Sequence, residues 1–90
     1  MTSSISATLE VLGKNLKQLR KHQFPRDDQR RFATRLKVSR ATYQKMEKGD
    51  PSIAMGSYFS AAVVLNVEQQ FATLFIRPIE KTDLLEELGL

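Results

Sequence analysis

Apolar residues recur along this chain at the spacing of α-helices. The first stripe, at alternating intervals of three and four residues, comprises Leu9, Leu12, Leu16 and Leu19. Lysines and polar residues fill the positions between them, which predicts an amphipathic helix over residues 7–22. Pro25 lacks an amide hydrogen and restricts the residue before it, so we expect a loop there.

Two short helices with strong capping residues are predicted next. Asp27 and Asp28 are good N-caps for a helix over 29–36. Its apolar face is formed by Phe32, Ala33 and Leu36. Ser39 can cap a third helix over about 40–48, and Gly49 can end that helix in the left-handed conformation. Its predicted inward face comprises Thr42, Tyr43 and Met46.

The remaining apolar spacing predicts two more helices. A fourth begins at Pro51 and Ser52 and ends at Asn66, a residue type that tolerates positive φ. Its predicted apolar face comprises Met55, Tyr58, Phe59, Ala62 and Leu65. A fifth, over 68–75, places Phe71, Leu74 and Phe75 on one side. No segment alternates with the period of a strand, so the fold class is all-α.

Length and composition limit the organisation of the chain. Ninety residues, 41% of them hydrophobic, can build one core but not two. We expect a flexible N-terminus over 1–6, one domain over 7–76, and an acidic, amphipathic tail over 77–90 that contains Leu84, Leu85, Leu88 and Leu90. The absence of cysteine fits a reducing compartment, and no segment has the length of a signal or membrane span, so we expect a cytoplasmic protein without membrane contact.

The positive charge belongs to one half of the chain. Residues 14–48 contain twelve Lys and Arg against three acids, a balance of +9, whereas residues 49–90 carry −4. This segregation is typical of a surface that faces a polyanion, although a solvated basic surface has the same composition. A catalytic or metal site is not indicated, because His22 is the single histidine and paired carboxylates are missing. We expect no enzyme activity, cofactor or metal.

The twenty-two residues 28–49, DQRRFATRLKVSRATYQKMEKG, resemble without a gap the helix-turn-helix of Cro/repressor-type (XRE family) regulators. The resemblance extends loosely over 9–75 and implies a five-helix DNA-binding domain, followed here by the short acidic tail. It implies that Ala33 is a packing position and that Arg20 pairs with Glu47. It also implies that Gln29 and Ser39 touch phosphate, although each can equally be only a cap. Lys37 stands where the family usually has glycine, and the loop over 22–28 is about two residues longer.

The third helix presents polar side chains opposite Tyr43 and Met46. Arg40 and Lys45 can bond guanine, Gln44 can pair with adenine, and Ala41 can touch a thymine methyl group. Lys48, Arg30 and Lys37 are candidates for phosphate contacts, with Arg31 and Arg35 as further cations. The alternative is that these residues form an ordinary solvated helix face.

The sequence therefore predicts a sequence-specific regulator of transcription, a repressor, that reads double-stranded DNA as a homodimer on a palindromic operator. Phe71, Leu74 and Phe75 are the predicted dimer interface, or else they complete the monomer core. The alternative function is an antitoxin similar to the HipB-like group, which represses its own operon and also binds a toxin partner. In that case the tail can lay Leu84, Leu85 and Leu88 into a groove of the toxin, or it can fold back on its own domain.

Overall fold

The computed structural model describes residues 2–78 and 86–89, which form helices and turns without any strand. Four α-helices are followed by a 3₁₀ helix: α1 (Thr2–Gln23), α2 (Gln29–Leu36), α3 (Arg40–Glu47), α4 (Met55–Val64) and the 3₁₀ helix Glu68–Thr73. The predicted all-α class and helix order are confirmed. None of the helices within these residues is both long and apolar enough to cross a membrane.

Helix α1 is longer than predicted and only its C-terminal half contributes to the core. It begins at Thr2 instead of residue 7. Leu16 and Leu19 pack against the core, but Leu12 is 43% exposed, so the predicted leucine stripe is wrong at its N-terminal end. Residues 6–8 are exposed as well, whereas Leu9 is partly buried and its backbone lies against Gly49 beyond the end of α3.

Helix α2 has the predicted bounds and α3 ends one residue earlier than predicted, at Glu47, because the ends of both are fixed by local chemistry. The Asp28 side chain accepts a hydrogen bond from the Arg31 amide at 2.8 Å, and Ser39 does the same for Thr42 at 3.0 Å. Between the helices, Lys37 adopts the left-handed conformation with φ of 59°, as expected for a residue at the usual glycine position. The chain thus turns within three residues and brings α3 back across α2.

The core lies where α2 and α3 cross beneath α1 and α4. Its largest fully buried side chains are Tyr43, Phe32, Met46 and Leu65. The ring of Phe32 contacts the ring of Tyr43, with centroids 5.2 Å apart, and the ring of Phe24, with centroids 5.6 Å apart. Ala33 is 1% exposed, which agrees with the packing position predicted for it.

Helix α4 begins later than predicted because the preceding turn is closed by an aspartate. The Asp50 side chain accepts a hydrogen bond from the Ser52 amide at 2.8 Å, so residues 51–53 form a turn and α4 begins at Met55. Two residues of the predicted inward face are on the outside, since Met55 is 59% and Phe59 44% exposed. The helix ends, as predicted, before a left-handed Asn66, with φ of 61°.

The fifth helix is a 3₁₀ helix and is shorter than predicted. It ends at Thr73, after which Leu74 is extended and Phe75 has a φ of 63°. It has no side-chain N-cap, and short segments with poor caps often adopt the tighter helix. Of the predicted acidic tail, Leu84, Leu85 and Leu90 lie outside the described residues, and Leu88 is 64% exposed.

Candidate nucleic-acid interface

Helix α3 has one buried and one exposed face. Tyr43 and Met46 are each 0% exposed and fill the core. On the opposite face, the predicted groove-facing residues are exposed, with Gln44 partly buried: Arg40, Ala41, Gln44, Lys45 and Lys48. Because an α-helix turns about 100° per residue, these positions fall within an arc of about 140°, so the side chains project from the same side of α3. Lys48 lies just beyond α3 as its C-cap.

The carboxylate of Glu47 anchors α3 to α1. Arg20 donates to it twice, from Nε to Oε2 at 2.7 Å and from Nη2 to Oε1 at 3.4 Å. The two side chains are 6% and 4% exposed. This is the buried ion pair that the family resemblance predicted. Arg20 also donates from Nη1 to the Asp27 carbonyl oxygen at 2.8 Å, which ties the loop before α2 to the same guanidinium.

Two further donors on Glu47 were not predicted from the sequence. The Tyr43 hydroxyl, one helical turn earlier, donates to Oε2. Gln29 Nε2 donates to Oε1 at 2.9 Å. The four-residue spacing of Tyr43 and Glu47 is the only sequence signal for this network, because the Gln29 contact depends on how α2 and α3 cross. Glu47 therefore links three helices.

Hydrogen bonding keeps the Glu47 carboxylate ionised in this setting. Burial opposes its charge, but the bonds from Arg20, Tyr43 and Gln29 outweigh burial and lower its pKa. Burial raises the pKa of the Tyr43 hydroxyl, and its hydrogen bond to Glu47 adds to that effect. The network therefore consists of the ion pair of Arg20 and Glu47, with Tyr43 and Gln29 as neutral donors to the carboxylate.

A cleft of about 440 Å³ opens beside α3, lined by Arg20, Asp28, Gln29, Arg30 and Arg40. It lies at the N-terminal ends of both α2 and α3. Arg20 is paired with Glu47, and the Asp28 side chain accepts a hydrogen bond from the Arg31 amide. The amides of the first α2 residues precede the first intrahelical hydrogen bond and add partial positive charge. The cleft is therefore predominantly cationic and suited to an anion.

Several predicted phosphate contacts have a structural role in this molecule. Gln29 uses one amide hydrogen on Glu47 and keeps a second. Ser39 accepts from the Thr42 amide and donates to Thr42 Oγ1 at 3.0 Å, so it is an N-cap. Lys37 is the exposed C-cap of α2, and Arg30 is exposed at the cleft. Capping and phosphate contact are compatible for these residues.

Arg35 is held by two residues of the long loop, Asp27 and Phe24, in an arrangement that we call the clamp. Arg35 Nε donates to Asp27 Oδ2 at 2.5 Å, and its guanidinium lies 4.4 Å from the Phe24 ring centroid. The hydrogen bond from Arg35 lowers the pKa of the Asp27 carboxyl. Asp28, and not Asp27, is therefore the N-cap of α2. The sequence contained no signal for this clamp, because it depends on the path of the loop.

The predicted dimer residues are only partly packed within the monomer. Phe71 contacts the Phe59 ring edge-on at 5.3 Å, whereas Leu74 is 47% and Phe75 95% exposed. Comparisons of the whole chain with protein-family models, curated proteins and solved structures give no match.

Proposed function

We propose that this protein is a sequence-specific regulator that binds double-stranded DNA, with α3 in the major groove. One observation carries the proposal: α3 is anchored on its inner face by Tyr43, Met46 and the Glu47 network, while its outer face presents side chains suited to base edges, namely Arg40, Ala41, Gln44 and Lys45. We propose further that it acts as a repressor and binds as a homodimer to a palindromic operator, because one such helix covers only a few base pairs.

The outer face of α3 has the donors and acceptors that base reading requires. Arg40 can give two hydrogen bonds to guanine O6 and N7, and Gln44 can pair with adenine N6 and N7. They are four residues apart, so they point at neighbouring base pairs along the groove. Lys45 and Ala41 flank them as a guanine donor and a thymine-methyl contact.

The cationic cleft supports the proposal that DNA lies along α3, because it offers a place for a phosphate beside that helix. A phosphate seated there meets Arg30 and the free amides of α2, and it also meets the remaining amide hydrogen of Gln29. Gln29 donates to the Glu47 carboxylate of α3, so the position of the proposed phosphate site relative to α3 is fixed. Lys48 and Lys37 add exposed positive charge at the ends of α3 and α2.

Selection from a random duplex pool at fixed salt tests the proposal. The wild type is expected to enrich a palindrome, and a variant with Arg40→Ala and Gln44→Ala is expected to lose it. Arg40→Ala alone should cost about 1–3 kcal/mol on the selected site and relax base preference there. Lys48→Ala is the comparison, since loss of a phosphate contact weakens all sequences alike and lowers the salt slope.

Equal losses on selected and random DNA for Arg40→Ala would contradict its role in base reading. No enrichment at any salt would refute the proposed function. The antitoxin function, in which the C-terminal half also binds a toxin, stays a prediction.

A further inference from the structure

The clamp joins the loop over 24–28 to the last turn of α2. In addition to the bond from Nε, Arg35 Nη2 donates to Asp27 Oδ1 at 3.3 Å, so the guanidinium binds both carboxylate oxygens. The same guanidinium lies over the Phe24 ring, which in turn contacts Phe32 in the core. The Asp27 amide also donates to the Phe24 carbonyl oxygen at 3.0 Å. Contacts of three kinds therefore fix the position of Asp27.

The main chain of this loop leads directly to the cationic cleft. The Asp27 carbonyl oxygen accepts the bond from Arg20 Nη1, and Arg20 lines the cleft. The next residue, Asp28, lines the cleft as well and caps α2 through the Arg31 amide. Asp27 thus contacts Arg35 with its side chain and a cleft residue with its backbone. A displacement of Asp27 would move Arg20 or break the bond between them.

Neither attraction of a polyanion nor stability explains the clamp. Residues 14–48 carry a balance of +9, and an unpaired Arg35 would add to their attraction for DNA, but Asp27 neutralises it. The Arg35 side chain is 47% exposed, and an exposed ion pair contributes little to the free energy of unfolding. The feature that the clamp does determine is the position of the loop beside the cleft.

We infer that Arg35 and Asp27 are positioning residues of the proposed phosphate site: they order the loop so that Arg20 and the N-terminus of α2 are in place before DNA binds. A site that is already ordered loses less conformational entropy on binding, which strengthens binding without a new contact. The inference deepens the proposed function and rests on it, because it assigns to two residues an effect on DNA binding that they exert through the cleft.

Charge and position predict opposite signs for Asp27→Asn. The variant loses a negative charge next to the cleft, so long-range attraction alone would strengthen its binding to DNA. Loss of the clamp instead weakens binding to every DNA sequence alike, by roughly threefold to tenfold, because the loop must then be ordered on binding. Arg35→Lys keeps the charge but lacks the planar group that binds two oxygens, so it should weaken binding by a similar factor.

Fluorescence anisotropy with a labelled random-sequence duplex, at several salt concentrations, measures these Kd values. Glu10→Gln is the matched control, since it removes the same single charge from an exposed position on α1, outside the clamp and the cleft. It should leave Kd unchanged or lower it slightly. Circular dichroism verifies that each variant is folded at the temperature of the binding measurement. An Asp27→Asn variant that binds as tightly as the wild type, or an unchanged Kd for Arg35→Lys, would overturn the inference.

Arg20 provides a second measurement that needs no DNA. Its buried Nε–H donates to Glu47, so its NMR signal is expected to be resolved and to exchange slowly with solvent. Both clamp variants should shift this signal and speed its exchange, whereas Glu10→Gln should leave it unchanged. An Arg20 signal that neither clamp variant alters would overturn the inference.

The inference and the proposed function fail separately. A wild type that enriches a palindrome, together with an Asp27→Asn variant that binds as tightly, refutes the inference alone. A wild type that enriches no sequence refutes the function, and the positioning of Arg20 by the clamp is then decided by the NMR signal.

Discussion

Glu47→Gln is expected to lower the free energy of unfolding by about 3 kcal/mol at neutral pH. The substitution keeps the shape of the side chain but leaves the buried Arg20 guanidinium, 6% exposed, without an opposite charge. Breaking a buried pair by removing one partner costs about 3–5 kcal/mol, and the glutamine oxygen still accepts one bond, which favours the lower end. The new amide group must also face Gln29 or Tyr43, both of which are donors at this position.

Urea and thermal unfolding followed by circular dichroism measure this effect. For a domain of this size, a loss of about 3 kcal/mol lowers Tm by roughly 15 °C. Glu10→Gln, the same chemical change on an exposed residue of α1, is the control and should stay within about 0.5 kcal/mol of the wild type. A cost below about 1 kcal/mol for Glu47→Gln, at unchanged m, would refute the account of the network as a buried charge pair.

The pH dependence of stability gives the same reasoning a second test. Because the pKa of Glu47 is lower in the folded than in the unfolded protein, the unfolded state binds its proton more readily as the pH falls. The stability that Glu47 contributes is complete above its unfolded pKa, about 4.3, and is lost as the pH falls through the folded value. The difference between the wild type and Glu47→Gln should therefore shrink below about pH 4.

Two further predictions concern backbone positions. Gly13→Ala should cost at least about 2 kcal/mol in urea unfolding, because a Cβ there overlaps the backbone of Glu47 and Gly49 where α1 crosses the end of α3. Gly56→Ala is the comparison: nothing lies near that position, so it should stabilise the protein by about 0.4–1 kcal/mol. Equal changes in stability for Gly13→Ala and Gly56→Ala would contradict the close crossing of α1 and α3. Lys37→Gly should raise stability by up to about 1 kcal/mol by relieving positive φ, and a loss would show that the lysine side chain itself supports the turn.

The α2 and α3 helices were predictable because short-range chemistry determines their ends. Asp28 and Ser39 each cap a helix through an amide three residues later, and Gly49 ends the second with a φ of 73°. These signals lie within a few residues of the boundary they define. Tertiary packing therefore had little influence on the helix boundaries between residues 28 and 49.

The fourth and fifth helices were less predictable because their apolar residues exceed what the core holds. Periodicity placed Met55 and Phe59 inside, yet Ala61, Ala62 and Leu65 are the buried residues of this segment, and Met55 and Phe59 are exposed. Which face of an apolar helix is buried depends on the neighbour it packs against. Here the packing of α4 on α2 decides it, and hydrophobicity alone does not carry that information.

The exposed face of α3 and one ion pair were predictable from the sequence, but the other contacts around the candidate interface were not. The ion pair of Arg20 and Glu47 was implied by the family resemblance, and the exposed face of α3 followed from helical spacing. The contact of Gln29 with Glu47 and the clamp of Asp27, Arg35 and Phe24 required the crossing of helices and the path of a loop. Those are long-range geometric facts that no local pattern records.

The division of α3 into two faces explains why the fold constrains so little of the proposed recognition. A helix of eight residues is not stable by itself in water, so α3 owes its structure to Tyr43, Met46 and Glu47 on its inner face. Within the described part of the chain, the side chains of Arg40 and Lys45 make no hydrogen bond or ion pair, although, besides the hydrogen bonds from Ser52, the charge of Lys45 helps to lower the pKa of Asp50. Changes at these two positions are therefore expected to cost little stability, and under the proposed function the same scaffold can serve a different operator. The inner face preserves the structure, and under the proposed function the outer face is adapted to the DNA sequence that it binds.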